Sequence, residues 1–219
     1  MGFSNHDSTL MAMEVHIWSD IACPFCYIGK RHLEKALEDF EENVDIHWHS
    51  FQLDPSITAE QAGVPVSQYL AESKGMSESQ MSQMMEGVTK MGAEAGLQMK
   101  LKSAVLANTY PAHLLLQYAQ SNGKGNEAKE QLMKSYFVQN DNVSDVQVLQ
   151  GILNELGWGD RDIHEVLKNE EADRKFQEDL YTAQQFGIRG VPFFVFNSKY
   201  SISGAQPVDV LLRVLKQSI

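Results

Sequence analysis

The chain has 219 residues, of which 43% are hydrophobic and 21% are charged, as in an ordinary soluble globular protein. Its 18 basic and 29 acidic residues give a net charge of −11, so we expect neither a nucleic acid nor an anionic membrane surface as a partner. No segment is apolar enough to span a membrane, and the N-terminus lacks the basic start and apolar core of a secretory signal. We therefore expect a cytoplasmic protein, although a secreted chain whose signal has been removed would look the same.

A strand, a helix and a second strand are predicted at the start of the chain. A β-like run covers residues 15–18, and apolar residues at steps of three and four predict a helix over 27–40. Alternating apolar and polar residues predict the second strand over 44–51. Such a βαβ unit is most simply a right-handed parallel pair. Residues 1–12 carry little pattern, and we expect them to be an extension.

The middle of the chain is predicted to be entirely helical. Helical patterns with glycine-containing breaks between them cover residues 66–74, 77–95, 109–121, 126–139, 145–156 and 160–186. We expect the last of these to break near Asn169. Ser77 with Gln80 three residues later, Asp145 and Asp160 are predicted to cap helices at their N-termini.

The β pattern returns near the C-terminus. The apolar run 191–196 is typical of a strand buried on both faces, and 200–204 is predicted to be its antiparallel return strand. A closing helix is predicted over 207–217. We therefore expect an α/β domain formed by residues 13–63 and 171–219, with a helical domain inserted at residues 64–170.

The two cysteines of the chain, Cys23 and Cys26, are separated by Pro24 and Phe25 and stand between the first predicted strand and helix. A thiol attacks a disulfide only as its thiolate, and a helix N-terminus stabilises that charge. Pro24 suits the first helical position, where its missing N–H costs nothing. Cys23 would then cap the helix, and Cys26 would lie one turn in and more shielded. We predict a redox centre in which Cys23 attacks and Cys26 resolves the mixed disulfide.

A structural or zinc-binding role is the alternative for this pair. Zinc usually takes four ligands, and the chain has no second pair of cysteines at this spacing. His47 and His49 point to one face of the second predicted strand and could supply two ligands, but a polar strand edge is the simpler interpretation. We therefore expect no bound metal.

Four motifs follow one another along the chain from residue 13 to the C-terminus: Trp18-Ser19-Asp20-Ile21-Ala22-Cys23-Pro24-Phe25-Cys26-Tyr27-Ile28-Gly29, Asn108-Thr109 with Ala112-His113, Gly187-Ile188-Arg189-Gly190-Val191-Pro192-Phe193-Phe194-Val195, and Ser203-Gly204-Ala205-Gln206-Pro207. Together they resemble the FrnE-like branch of the DsbA family, which is related to the 2-hydroxychromene-2-carboxylate isomerases and the kappa-class glutathione transferases. The resemblance implies an α/β thioredoxin fold, with βαβ and ββα halves and a large all-helical insertion between them. It also implies a cis peptide bond between Val191 and Pro192 that faces the dithiol.

The resemblance further implies that substrate docks beside the cis-proline. We expect the substrate-binding residues to be Pro24, Phe25, Val191, Pro192 and Asn108. Asn108 has an equally good interpretation as a cap of the helix that follows it. A serine stands at the position of Cys23 in the isomerase and transferase relatives. Here both positions carry a thiol, which favours disulfide exchange. Phe25 stands where DsbA has a histidine, and we expect a couple less oxidising than that of DsbA.

We therefore expect a thiol–disulfide oxidoreductase that acts on protein or small-molecule thiols and disulfides, with a separate reducing or oxidising partner. No cofactor is needed for that exchange; glutathione as a co-substrate and a homodimer are left open. Two alternatives remain. One is a glutathione-dependent isomerase or transferase, and the other is a chaperone-like module that binds peptides.

Three further side-chain interpretations follow from the sequence. Asp20 is expected to be an exposed loop carboxylate, with a role as proton acceptor for Cys26 as the alternative. His113 is expected to be a packing residue rather than a base. The methionines at positions 81, 84, 85 and 91 fall at helical steps, so we expect them in the core rather than in a peptide-binding groove.

Overall fold

The structure is a computed structural model that describes residues 12–219, without the side chain of residue 59. The predicted extension, residues 1–12, lies outside the described residues except for its last member. Within the described part of the chain, no helix is long and apolar enough to cross a membrane.

One mixed sheet of four strands forms the centre of the fold. Its strands are β1 (Met13–Ser19), β2 (Val44–Ser50), β3 (Phe193–Phe196) and β4 (Tyr200–Ser203), in the spatial order β2-β1-β3-β4. As predicted, β1 and β2 are parallel, and β4 is the antiparallel return of β3. β3 also pairs antiparallel with β1, which joins the N-terminal and C-terminal parts of the chain in one sheet.

β3 is less buried than the sequence predicts. Phe194 and Phe196 are fully buried, but Phe193 and Val195 on the other face are only half-buried. The expectation of a strand covered on both faces is therefore wrong for one face. The apolar side chains of that face pack with Trp18, Ala183 and Ile188 in a small separate cluster, which shields them from solvent only in part.

Nine helices of the described chain surround the sheet. They are α1 (Pro24–Glu38), α2 (Val66–Lys74), α3 (Glu78–Glu94), α4 (Tyr110–Ser121), α5 (Gly125–Lys134), α6 (Val146–Glu155), α7 (Ile163–Leu167), α8 (Glu170–Gln185) and α9 (Val208–Gln217). A π-helical turn, Ser135–Gln139, continues α5. The helical predictions for the middle of the chain are confirmed within a few residues at each end, with the last pattern divided between α7 and α8.

Local capping explains most of these helix boundaries. Ser77 and Gln80 form the predicted capping box of α3, and Asp145 caps α6 through the N–H of Gln147. The cap predicted at Asp160 is wrong, because the carboxylate that accepts the N–H of His164 at the start of α7 belongs to Asp162. The break at Asn169 is real, and its side chain caps α8. Each such cap contributes on the order of 1 kcal/mol.

α4 is the most deeply buried helix. Eight of its residues in succession, Ala112 to Ala119, have less than a tenth of their surface exposed. It packs against α5 and α8 on two sides and against β2 on a third. The Gln117 amide donates to Ser50 Oγ at 2.9 Å and to the Asp179 carboxylate at 2.7 Å, which ties α4 to both β2 and α8.

An ion-pair network connects α5 to α1, the helix that follows the cysteines. The Glu130 carboxylate accepts hydrogen bonds from Tyr27 Oη at 2.8 Å, from Lys30 Nζ at 2.7 Å and from the Arg31 guanidinium. Lys30 is 5% exposed and is paired with Glu130 and with Glu34 at the helix surface. The helical region thereby holds α1 in position through charged groups as well as through apolar packing.

Candidate active site

Cys23 lies at the N-cap of α1, as predicted. Its backbone is extended, with φ −95° and ψ 111°, and Pro24 occupies the first turn. The Cys23 carbonyl accepts hydrogen bonds from the N–H groups of Cys26 at 3.0 Å and Tyr27 at 3.4 Å, which closes the first turn. The Cys23 sulfur therefore sits at the positive end of the helix dipole.

The peptide bond between Val191 and Pro192 is cis, as the resemblance implies. The Cys23 thiol donates to the Val191 carbonyl across an S···O distance of 3.6 Å, so the cis-proline loop faces the dithiol. Gly29 permits this approach, because a Cβ there would lie 3.0 Å from Cγ of Pro192. The N–H of Gly204 donates to the Pro192 carbonyl at 2.8 Å and holds the loop from its other side.

The two sulfurs differ in access. Cys26 has no exposed surface, whereas Cys23 is 3% exposed and lines a cavity of about 520 Å³ together with Pro24 and Phe25. Phe25 is itself 40% exposed and stands beside the dithiol. A molecule in the cavity therefore meets Cys23 and not Cys26, and the division of roles between them stays a prediction.

The two thiols titrate as a hydrogen-bonded pair, since a charge on one sulfur opposes a charge on the other. The hydrogen bond with Cys26 and the burial of the sulfur raise the pKa of Cys23 well above its ordinary value. Burial opposes a charge on Cys26 too, but the hydrogen bond from Cys23 and the positive charge of Lys129 lower the pKa of Cys26 overall. The first negative charge on the pair is thus favoured at Cys26, which differs from the expectation that the helix N-terminus stabilises a thiolate at Cys23.

Asp20 is buried, which corrects the expectation of an exposed loop carboxylate. It is 2% exposed, accepts the N–H of Leu53 at 2.8 Å and lies 3.3 Å from Nε2 of His113. Burial opposes its charge, but these hydrogen bonds lower the pKa of Asp20. His113 is completely buried, and desolvation lowers its pKa, so the imidazole is neutral at pH 7 and packs as predicted.

Asn108 does not line the cavity that Cys23 opens into, although its neighbour Thr109 does. Its side chain accepts the N–H of Tyr110 at 2.9 Å and donates to the Ile57 carbonyl at 3.1 Å. The capping interpretation thus has direct support in the structure, and its role in substrate binding stays a prediction.

The methionines have mixed roles. Met81 and Met85 are buried as predicted, whereas Met91 is 42% exposed. Met84 and Met85 also line the cavity beside Cys23, so core packing and a binding surface are combined on α3.

Two of the histidines on the sheet are hydrogen-bonded to each other. Nδ1 of His16 lies 2.9 Å from Nε2 of His49, whose Nδ1 lies 2.6 Å from the Asp179 carboxylate. The ring of His47 stacks on that of His16. Among residues 12–219, no three His, Cys, Asp or Glu side chains are grouped as metal ligands.

Sequence reasoning missed Lys129, a buried lysine close to the dithiol. Lys129 has no exposed surface, its Nζ has no hydrogen-bond partner, and it lies 5.3 Å from the centre of the Trp48 ring. Burial lowers its pKa to about 8, against the attraction of the charges at Cys26 and Asp20. One signal was present, because Lys129 falls at helical steps from the apolar residues Leu132, Met133 and Tyr136.

Replacing Lys129 with methionine is expected to raise the free energy of unfolding at pH 7 by about 2 kcal/mol, because the folded protein no longer has to bury a charge. The wild-type lysine binds its proton less tightly when folded than when unfolded. The destabilisation of the folded protein by Lys129 is therefore fully present below about pH 8 and disappears as the pH rises to about 10.5. Denaturant unfolding across this range checks the prediction.

The matched control is Lys134→Met on the same helix, where the side chain is exposed and an effect below about 0.5 kcal/mol is expected. A Lys129→Met protein less stable than the wild type at pH 7 would contradict the prediction. The variant is also expected to raise the pKa of Cys26, measured from the ultraviolet absorbance of the thiolate.

The fold and the dithiol define a class of protein. Residues 14–216 match the DSBA-like thioredoxin domain family, and the chain belongs to this family. The predicted α/β thioredoxin fold with helices between its two halves is therefore confirmed.

Three comparisons show where the chain lies among its relatives. It is 31% identical to a probable DsbA oxidoreductase from Streptomyces coelicolor, with a TM-score of 0.87 over 94% of this chain and 89% of the other. It is 23% identical to the uncharacterized protein YwbO of Bacillus subtilis (strain 168), over 94% of this chain and 96% of that protein. It shares its fold with a 2-hydroxychromene-2-carboxylate isomerase, at a TM-score of 0.67 and 13% identity over 93% of this chain and 95% of the other.

Proposed function

We propose that this protein exchanges disulfides through the dithiol of Cys23 and Cys26. The observation that carries the proposal is the position of Cys23 at the N-terminus of α1, where its sulfur meets both the Val191 carbonyl and an open cavity. Cys26 lies behind it without exposed surface. The site thus offers one attacking sulfur and one sulfur that can only react internally.

In the reducing direction, the Cys23 thiolate attacks one sulfur of a substrate disulfide. The substrate S–S bond breaks, a mixed disulfide with Cys23 forms, and the other substrate sulfur leaves as a thiolate. Cys26 then attacks the sulfur of Cys23 and releases the second substrate thiolate. Two electrons pass from the dithiol to the substrate, and the protons of the two cysteines end on the released thiols. The oxidising direction is the reverse.

The surroundings of Cys23 support a substrate that docks at the cis-proline loop. An extended chain beside Val191 and Pro192 would pair with the backbone of the half-buried Val191 as an added strand. We assign Pro24 and Phe25 to the same substrate surface, since both flank Cys23 and Phe25 is exposed. Asn108 would act there through the loop that it holds at Ile57.

The remaining features of the proposal come from the sequence. The exchange needs no metal or organic cofactor, with glutathione left open as a co-substrate, and a separate thiol or disulfide partner would recycle the dithiol. A cytoplasmic location is part of the proposal, and a homodimer stays open. A couple less oxidising than that of DsbA is also part of the proposal, because Phe25 stands where DsbA has a histidine.

The test is to trap the mixed disulfide. A Cys26→Ser protein incubated with insulin is expected to accumulate a covalent adduct at Cys23, detected by mass spectrometry without reductant and released by dithiothreitol. Cys23→Ser is the matched control and is expected to form no adduct, because its remaining thiol is inaccessible. An adduct on Cys26 in the control, at the rate seen on Cys23, would show that the roles are wrong.

A further inference from the structure

The cavity beside Cys23 indicates the class of substrate that the protein binds. This inference rests on the proposed function. It is bounded by the dithiol turn, by the loop after β2, by α2 and α3, and by the segment before α4. Its volume of about 520 Å³ lies in the range of pockets that bind small organic molecules. Cys23 lies on its wall and Cys26 does not, so a molecule held there meets the attacking sulfur only.

The wall of the cavity is predominantly apolar. α3 contributes Met84, Met85 and Val88, and α2 contributes Leu70. Methionine side chains adapt their shape to different apolar groups. Leu53, which is 51% exposed, extends this apolar surface outwards.

Several polar groups on the wall are already hydrogen-bonded within the protein. The Tyr69 hydroxyl donates to the Asp54 carboxylate, and the Tyr136 hydroxyl donates to the Val105 carbonyl at 2.9 Å. The Asp20 carboxylate accepts the N–H of Leu53. A polar ligand would lose its water without gaining these groups as partners, which costs free energy.

The charges at the cavity disfavour anions. Hydrogen bonds from Ser56 and Tyr69 lower the pKa of Asp54, and the pKa of Asp20 is lowered as well, so both carboxylates are ionised at pH 7. Lys74 also lines the cavity, but its side chain is exposed to solvent, where its charge is screened. A ligand with several carboxylates, such as glutathione disulfide, would meet two negative charges inside.

We propose that this cavity binds a small, uncharged, apolar disulfide or thiol, and that Cys23 exchanges disulfides with it there. In the reducing direction, Cys23 breaks the S–S bond of the ligand, keeps one half as a mixed disulfide and releases the other half as a thiolate. Cys26 then displaces the second half and forms the Cys23–Cys26 disulfide. One turnover thus needs only the reduced protein as electron donor.

Two aromatic disulfides of similar size test the proposal, dithiodipyridine without charge and dithiobis(nitrobenzoate) with two carboxylates. The rate of each probe with the reduced protein is divided by its rate with mercaptoethanol, so that the difference in intrinsic reactivity between the two probes cancels. High salt screens the net charge of −11. The neutral probe is expected to react at least about tenfold faster than the anionic probe on this normalised scale.

Two variants fill the cavity from two helices, Val88→Trp on α3 and Leu70→Trp on α2. Each is expected to slow the neutral probe by about tenfold or more and to bring its normalised rate down to that of the anionic probe. The matched control is Val148→Trp on α6, a half-buried valine outside the cavity, and it is expected to change neither rate. Two independent variants keep the test valid if one fails to fold.

The outcomes separate the two proposals. If the wild type reduces insulin but reacts equally with both normalised probes, and the folded cavity variant matches the wild type, the apolar ligand is wrong and disulfide exchange stands. If the wild type reduces neither insulin nor either probe, the proposed function itself fails. If the anionic probe reacts faster, the assignment of the ligand class is wrong.

Discussion

A Cys23→Ser protein is expected to lose disulfide exchange by at least about a thousandfold, because a serine hydroxyl neither forms an anion near neutral pH nor forms a disulfide. The remaining thiol of Cys26 is not expected to substitute for it, since its side chain has no exposed surface. The rate of insulin reduction with dithiothreitol as recycling reductant measures the loss.

The control for this prediction is Cys26→Ser, which keeps the attacking sulfur. Its first, single-turnover attack is expected to stay within about tenfold of the wild type, while repeated turnover slows because the mixed disulfide is no longer resolved. Both variants exchange sulfur for oxygen at nearly constant volume, so comparable thermal unfolding confirms that they are folded. A Cys23→Ser protein with wild-type turnover would exclude the dithiol as the reactive group.

The helices and the dithiol could be predicted from sequence because their signals are local. The capping box of Ser77 and Gln80 fixes the start of α3 within a single turn. The same holds for Cys23 and Pro24, whose positions at the N-terminus of α1 depend on the few residues around them. The cis bond at Val191 was implied by the resemblance, since an isolated valine–proline pair does not distinguish cis from trans.

The buried charges could not be predicted in the same way. Sequence statistics place aspartate and lysine at the surface, yet Asp20 and Lys129 are both buried beside the dithiol. Their burial follows from the packing of α4 and α5 against β2, which joins residues 44–50 to residues 110–134. The half-buried face of β3 has the same origin, because an apolar run does not specify which neighbours cover it.

The cavity is likewise a product of tertiary structure. It is formed by the dithiol turn, α2, α3 and the segment before α4, none of which indicates a pocket by itself. The methionines of α3 illustrate the difficulty, because helical spacing predicts a core and the same spacing serves the wall of a cavity next to the core.

Replacing Glu130 with glutamine is expected to lower the free energy of unfolding at pH 7 by about 3 kcal/mol, the cost of leaving the Lys30 charge buried with a weakened partner. Burial opposes the charge of Glu130, but hydrogen bonds from Arg31 and Lys30 lower its pKa from 4.5 to about 2. The folded protein therefore binds this proton less tightly than the unfolded chain. Denaturant unfolding of the wild type and of Glu130→Gln at pH 7 measures the difference in stability.

The pH dependence of stability gives this prediction a second readout. The stabilisation by Glu130 is fully present above about pH 4.5 and is lost as the pH falls to about 2. Between these pH values the free energy of unfolding is therefore expected to fall less steeply in Glu130→Gln than in the wild type. Glu34→Gln is the matched control, because Glu34 pairs with the same two cations but is 43% exposed, and its loss is expected to cost below about 1 kcal/mol. Equal costs for both substitutions would show that burial of Lys30 does not decide the stability of the network. Glu130 and Lys129 are neighbours on α5, but Glu130→Gln is expected to lower stability and Lys129→Met to raise it. The reason is that Glu130 is paired with the cations of α1, whereas Lys129 is buried without a hydrogen-bond partner and lowers the pKa of Cys26 at a cost in stability.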